Sequence, residues 1–197
     1  MSTNTSTVVS VRFPLGRYHV IPCDHAHNEG RVEWPPSPWR LLRALLAVWH
    51  QRAPELDHTT IDTLIRTLAA TPPSYALPTG TTHGHTRHYM PGVDLDAKNR
   101  DHTRTLTLDA FLALPHETHA DGPGALLINW DVDLGDEERK ALTVLTQRLP
   151  YLGRADSICV AELLDTPPTR DPRIPPDSDG DLRLRAPPAE TTVESLE

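Results

Sequence analysis

Cysteine is scarce in this chain, with Cys23 and Cys159 the only two among 197 residues. Two are too few for a disulfide framework, and a reduced, cytoplasmic setting is the expectation. No run of eighteen apolar residues occurs, so no membrane-crossing helix is expected, and residues 1–10 are rich in Ser and Thr without an apolar signal core. The glycine loop that cradles nucleotide phosphates is missing, as are a Ser/His/Asp arrangement and an acidic cluster of the metal-nuclease type. Paired acids such as Asp94 and Asp96, or Asp131 and Asp133, read as solvated turns. No cofactor is expected.

Positive charge is also short, with 19 Lys and Arg against 27 Asp and Glu and a net charge of −8. The distribution is uneven. Residues 1–90 carry eight Arg against six acids and hold eight of the eleven histidines, whereas residues 91–197 carry eleven Lys and Arg against twenty-one acids. That asymmetry suggests a neutral-to-basic working face on the first half and an acidic, solvated remainder.

What the chain does have is one strong organising stretch, EWPPSPWRLLRALLAVWH, from Glu33 to His50. Ser37 is suited to cap free N–H groups and Pro38 to the first helical position. Trp39, Leu42, Leu45, Leu46 and Trp49 then recur at helical spacing, with Arg40, Arg43, Ala47 and His50 on the other side. Before it, Val9, Val11 and Phe13 alternate with polar residues as a strand over 7–13. After it, Thr59 is read as the cap of a second helix carrying Ile61, Leu64, Ile65 and Leu68. A short extended piece at 75–77 leads into a polar loop over 82–92. Strands are expected over 104–114 and 124–132, then a helix opened by Asp136, Glu137 and Glu138, then a last strand over 157–164.

The order of strand, helix, strand, strand, helix, strand predicts an α+β, ferredoxin-like (RRM-like) βαββαβ domain with an extra helix, spanning residues 1–165. RNA-recognition domains use this layout, with the open sheet face or its loops holding the nucleic acid. Residues 166–197 are rich in proline and read as an extended linker, with a short strand at Leu182 and Leu184 and an incomplete helix from Thr191.

Four segments, VRFPLGRYHV, HNEGRVEWPPSPWRLLRALLAVWH, TRHYMPG and YLGRADS, appear in that order. Together they resemble the N-terminal half of the type I-G (also I-U) CRISPR effector subunit, which fuses a Cas five-like and a Cas six-like protein. The resemblance implies a repeat-associated RNA-binding protein that processes precursor CRISPR RNA and stays attached to the guide in Cascade. Its partners would be CRISPR RNA, the backbone and large Cascade subunits, and a Cas six-like half, since this chain stops at Glu197 where family proteins continue. No membrane partner is expected.

Particular residues fit RNA. Arg17, Tyr18 and His19 follow Gly16 in a turn that offers a phosphate-binding guanidinium, a ring for stacking and an imidazole. Arg87, His88 and Tyr89 repeat that combination, Arg154 sits in a Gly-lined turn, and Arg31, Arg40 and Arg43 add cations around the first helix. Cys23, Asp24, His25 and His27 invite a metal, but the spacing matches no standard zinc pattern. Metal-independent RNA cleavage needs a base for the ribose 2′-hydroxyl, an acid for the leaving oxygen and a cation for the phosphorane. His19, His25 and His27 are the candidates, lying where relatives of this class keep catalytic histidines. Three readings stay open: a guide-binding subunit, an endoribonuclease complete in itself, and a purely structural subunit.

Overall fold

The structure, a computed structural model, describes residues 6–23, 25–26, 28–91, 104–165, 168, 174–177, 179 and 183–196. Among those residues it is a mixed α+β fold of four helices and antiparallel sheets. The first strand, β1 (Thr7–Arg12), lies inside a four-stranded sheet and is buried along almost all its length. It pairs on one side with β6 (Leu126–Trp130) and on the other with β7 (Val160–Leu163), and β3 (Ser74–Ala76) completes the sheet beyond β6.

Helix α1 (Pro38–Arg52) begins as its sequence dictates, with the Ser37 hydroxyl accepting from the Arg40 N–H at 3.4 Å and Pro38 in the first turn. Helix α2 (His58–Ala70) is capped by Asp57 rather than Thr59; its carboxylate accepts from Thr60 N–H at 3.0 Å. Helix α3 (Asp136–Gln147) starts with the three expected acids, and Glu138 reaches back to the Gly135 N–H at 2.7 Å. The apolar sides of these three helices meet Val9, Val11, Ile128, Trp130 and Ala161 of the sheet in one core.

The opposite sheet face is not open. The 115–124 loop crosses it, with Ser10 Oγ donating to Ala120 O and Arg12 to Thr118 O. Glu117 pins that loop by accepting from the N–H groups of Thr118, His119 and Gly124, and these bonds hold its carboxyl down at about 2.

A second sheet of three strands stands beside the first: β2 (Arg17–Tyr18), β5 (Arg104–Ala113) and β4 (Thr82–Pro91), in the order β2-β5-β4. Two expectations are corrected here. The segment read as a polar loop is β4, a ten-residue edge strand whose described side chains are mostly exposed, which is why no apolar alternation marks it. And β5 does not join the main sheet; the short β3 lies next to β6 in its place.

Described residues of the proline-rich segment lie along the body. Ile174 bridges to Tyr75, the Arg185 guanidinium stacks 4.2 Å over Trp39, and α4 (Val193–Leu196) buries Val193 and Leu196 against α1 and α2. Leu184 packs on the core without forming a strand, and Leu182 lies outside the described residues. Among the described residues no helix is long and apolar enough to cross a membrane.

Candidate nucleic-acid interface

Alternation along the second sheet sets two faces. On β4, His83, His85, Arg87 and Tyr89 share one face, and Gly84, Thr86 and His88 share the other. The register places His88 opposite Thr107, Thr86 opposite Asp109 and Gly84 opposite Phe111. Gly84 is required there, since a Cβ would come 2.7 Å from the Phe111 ring. Arg17 enters on the same face and stacks 4.0 Å from the centre of that ring.

The turn after α3 meets β2 at the next step. Gly153 has φ +98, and a Cβ there would fall 2.1 Å from Val20 Cγ2. This close crossing lets Arg154 N–H donate to His19 O at 3.1 Å, while Ser157 Oγ accepts from His19 N–H at 2.7 Å. His19 is thereby enclosed, 1% exposed, with Nδ1 3.0 Å from Asp156 and Nε2 3.2 Å from the Arg154 guanidinium and 3.8 Å from Asp109. Asp156 also stands 3.1 Å from Arg17 Nε. Partial burial would raise the Asp156 pKa, but the His19 hydrogen bond and the charges of His19 and Arg17 outweigh it and hold the carboxyl below its ordinary value.

Beside this cluster lies an open groove of about 710 Å³, lined by Val20, Asn28, Arg40, His88, Asp109 and Arg154 among others. Asn28 Oδ1 accepts the Leu108 N–H at 3.1 Å, so the loop before α1 covers the edge of β5 that β2 has left. Arg40 and Gly153 also line a second groove of about 320 Å³ along α1, with Arg43, Arg52 and Tyr151. Arg40 is held by Glu33, whose carboxylate takes its Nε at 2.8 Å and its terminal nitrogen at 3.1 Å.

The four segments singled out in the sequence therefore converge: Arg17 and His19, Asn28 and Arg40, His88, and Gly153 and Arg154 surround one site. Other expected residues sit apart. Tyr18 is fully buried with its ring edge-on to Phe13 and Trp34, and burial pushes its hydroxyl pKa up, so it presents no ring to a base. Arg31 and Arg43 are exposed. Arg87 and Tyr89 are exposed on the face of β4 that the register shares with Leu106, Leu108, Ala110 and Leu112 of β5, Tyr89 at 65%. His25 pairs with Glu29 at 2.7 Å, and His27 lies outside the described residues. No group of three or more His, Cys, Asp or Glu side chains among the described residues is placed to share a metal ion.

Sequence reasoning missed Asp109 and Asp156, the carboxylates that join this site. Asp109 had a signal, a single acid in the apolar run from Leu106 to Leu114. Asp156 had none beyond its place in YLGRADS. Neither protein-family models nor curated proteins match this chain.

Proposed function

We propose that this protein binds single-stranded RNA along β4, and that its RNA is a CRISPR RNA held within a type I-G effector beside the other Cascade subunits. The observation that carries the reading is one face of β4. Its His83, His85, Arg87 and Tyr89 stand in a row, all exposed. Imidazole and phenol rings offer stacking surfaces to unpaired bases, and the guanidinium between them offers a phosphate contact. The sheet order β3-β6-β1-β7, with α1 and α2 between β1 and β3 and α3 between β6 and β7, supports a ferredoxin-like reading of the first sheet, into which the β4–β5 hairpin is inserted.

Retention of RNA is placed ahead of cleavage because His19 is enclosed with both ring nitrogens engaged. A proton shuttle needs contact with its substrate, and a ring held in this way positions Arg154 and Asp156 instead.

Anisotropy of labelled repeat RNA, titrated in EDTA, tests the reading. Wild type should bind with a clear salt dependence. Tyr89→Ala should weaken binding by about 1–3 kcal/mol, the worth of one stacked base. Arg87→Ala should weaken it across sequences and lower the salt slope by about 1. Wild-type protein that ignores RNA, or variants that bind as wild type does, would sink the proposal.

A further inference from the structure

We infer that the groove between β4, β5 and the turn after α3 receives a guanine base, presented by the RNA of the reading above, with Asp109 as its acceptor. The Asp109 side chain is only 15% exposed and takes one hydrogen bond, from the Arg154 guanidinium to Oδ1 at 3.3 Å, with His88 3.6 Å from Oδ2 and His19 3.8 Å from Oδ1. A carboxylate offers about four lone-pair sites, so acceptor capacity remains in a groove already flanked by cations. Asn28 spends its carbonyl on the Leu108 N–H, which leaves its N–H₂ to donate. Thr107 adds a hydroxyl, and Val20 and the bare backbone of Gly153 give an apolar wall against which a flat ring can lie.

These groups select among ligands. A phosphate in the groove would face the Asp109 carboxylate. A base edge with two adjacent donors would not, and guanine alone of the four bases has one, in N1–H and the exocyclic N–H₂. Adenine and cytosine put a ring acceptor beside their single donor group, and uracil flanks one N–H with two carbonyls. Guanine O6 and N7 are acceptors, matched by the amide of Asn28 and the guanidinium of Arg154. The volume, about 710 Å³, has room for a nucleotide.

Calorimetric titration of wild-type protein with GMP, AMP, CMP and UMP reads the groove by itself, and uridine tetramers with and without one guanosine read it in RNA. GMP should bind at least about tenfold more tightly than the other three, and the single guanosine should raise RNA affinity by a similar factor. Asp109→Asn should abolish that preference, so that uridine tetramers with and without the guanosine bind alike. A melting curve confirms that the variant is folded, and if it is not, Asn28→Ala, at an exposed position, should reduce the preference instead. Four nucleotides bound alike, or a preference that survives in folded Asp109→Asn, would overturn the inference. RNA bound without guanine preference leaves the RNA reading standing and removes this one; GMP bound by a protein that ignores RNA does the reverse.

Discussion

Glu33 shows how much one side chain can hold in this fold. It is 6% exposed and accepts from the Ser37 N–H at 2.9 Å and from two nitrogens of Arg40, so it ties the entry of α1 to the loop before it. Burial by itself would raise its pKa; the bonds from Arg40 and Ser37 and the Arg40 charge outweigh burial and lower it. A carboxyl lowered in the folded state contributes stability above its unfolded value of about 4.3, and that contribution is lost as pH falls through the folded value. Glu33→Gln should therefore cost about 2 kcal/mol at pH 7, in the range for hydrogen bonds to a charged group. The gap between wild type and variant should close as pH is lowered through and below the ordinary carboxylate range, since the folded value lies beneath it. Urea titrations at several pH values measure it, and a gap independent of pH would mean that the charge contributes nothing. The motif around Ser37 and Pro38 was legible in the sequence because capping is local. The partnership of Glu33 with Arg40 was not, since it depends on how the chain before α1 turns back upon it.

Among the elements, those with a repeating apolar face were readable and those without were not. The faces of α1, α2 and α3 and the alternation in β1 came through because burial on one side imposes a period. Strand β4 exposes most of its described side chains, so its period carries no apolar mark, and it read as a loop. Neighbours across a sheet are a further step removed: β3 and β5 were both seen as extended, but which of them lies beside β6 is decided by long-range packing that no spacing records. Helix α1 also separates its two tryptophans, which the sequence pattern made equivalent. Trp49 is buried, with its Nε1–H donated to Leu56 O at 3.0 Å, whereas Trp39 is partly buried, lines the groove along α1 and lies beneath Arg185. Trp49→Ala should cost about 3–5 kcal/mol as a core truncation. Trp39→Ala should cost about 1–2 kcal/mol, since it forfeits a cation–π stack and part of a contact. Denaturant midpoints compare them directly, and equal losses would place Trp39 in the core after all.

At the scale of the whole molecule, charge and chain ends behave differently from their appearance in the sequence. The acidic second half does not stay apart from the basic first half: Asp109 and Asp156 stand among Arg17, His19 and His88. The proline-rich segment likewise returns to the body where it is described. The Trp39 N–H donates to Arg185 O at 3.1 Å, the Val193 N–H to Asp62 Oδ1 at 3.1 Å, and Leu196 has no exposed surface. A stretch of mixed Pro, Asp and Arg reads as solvated because composition averages over it, while single contacts along it, and two buried aliphatic side chains at Val193 and Leu196, hold it to the body. If Val193 and Leu196 belong to the core, Leu196→Ala should destabilise the entire fold by about 2–5 kcal/mol, as a buried leucine truncation does. Val193→Ala should cost less, because fewer methyl groups leave. The loss should appear in a single unfolding transition that moves together for tryptophan fluorescence and far-UV ellipticity, since Val193 and Leu196 share one core cluster with Trp49. A midpoint unchanged in both variants would return the segment to the status of a linker resting on the surface.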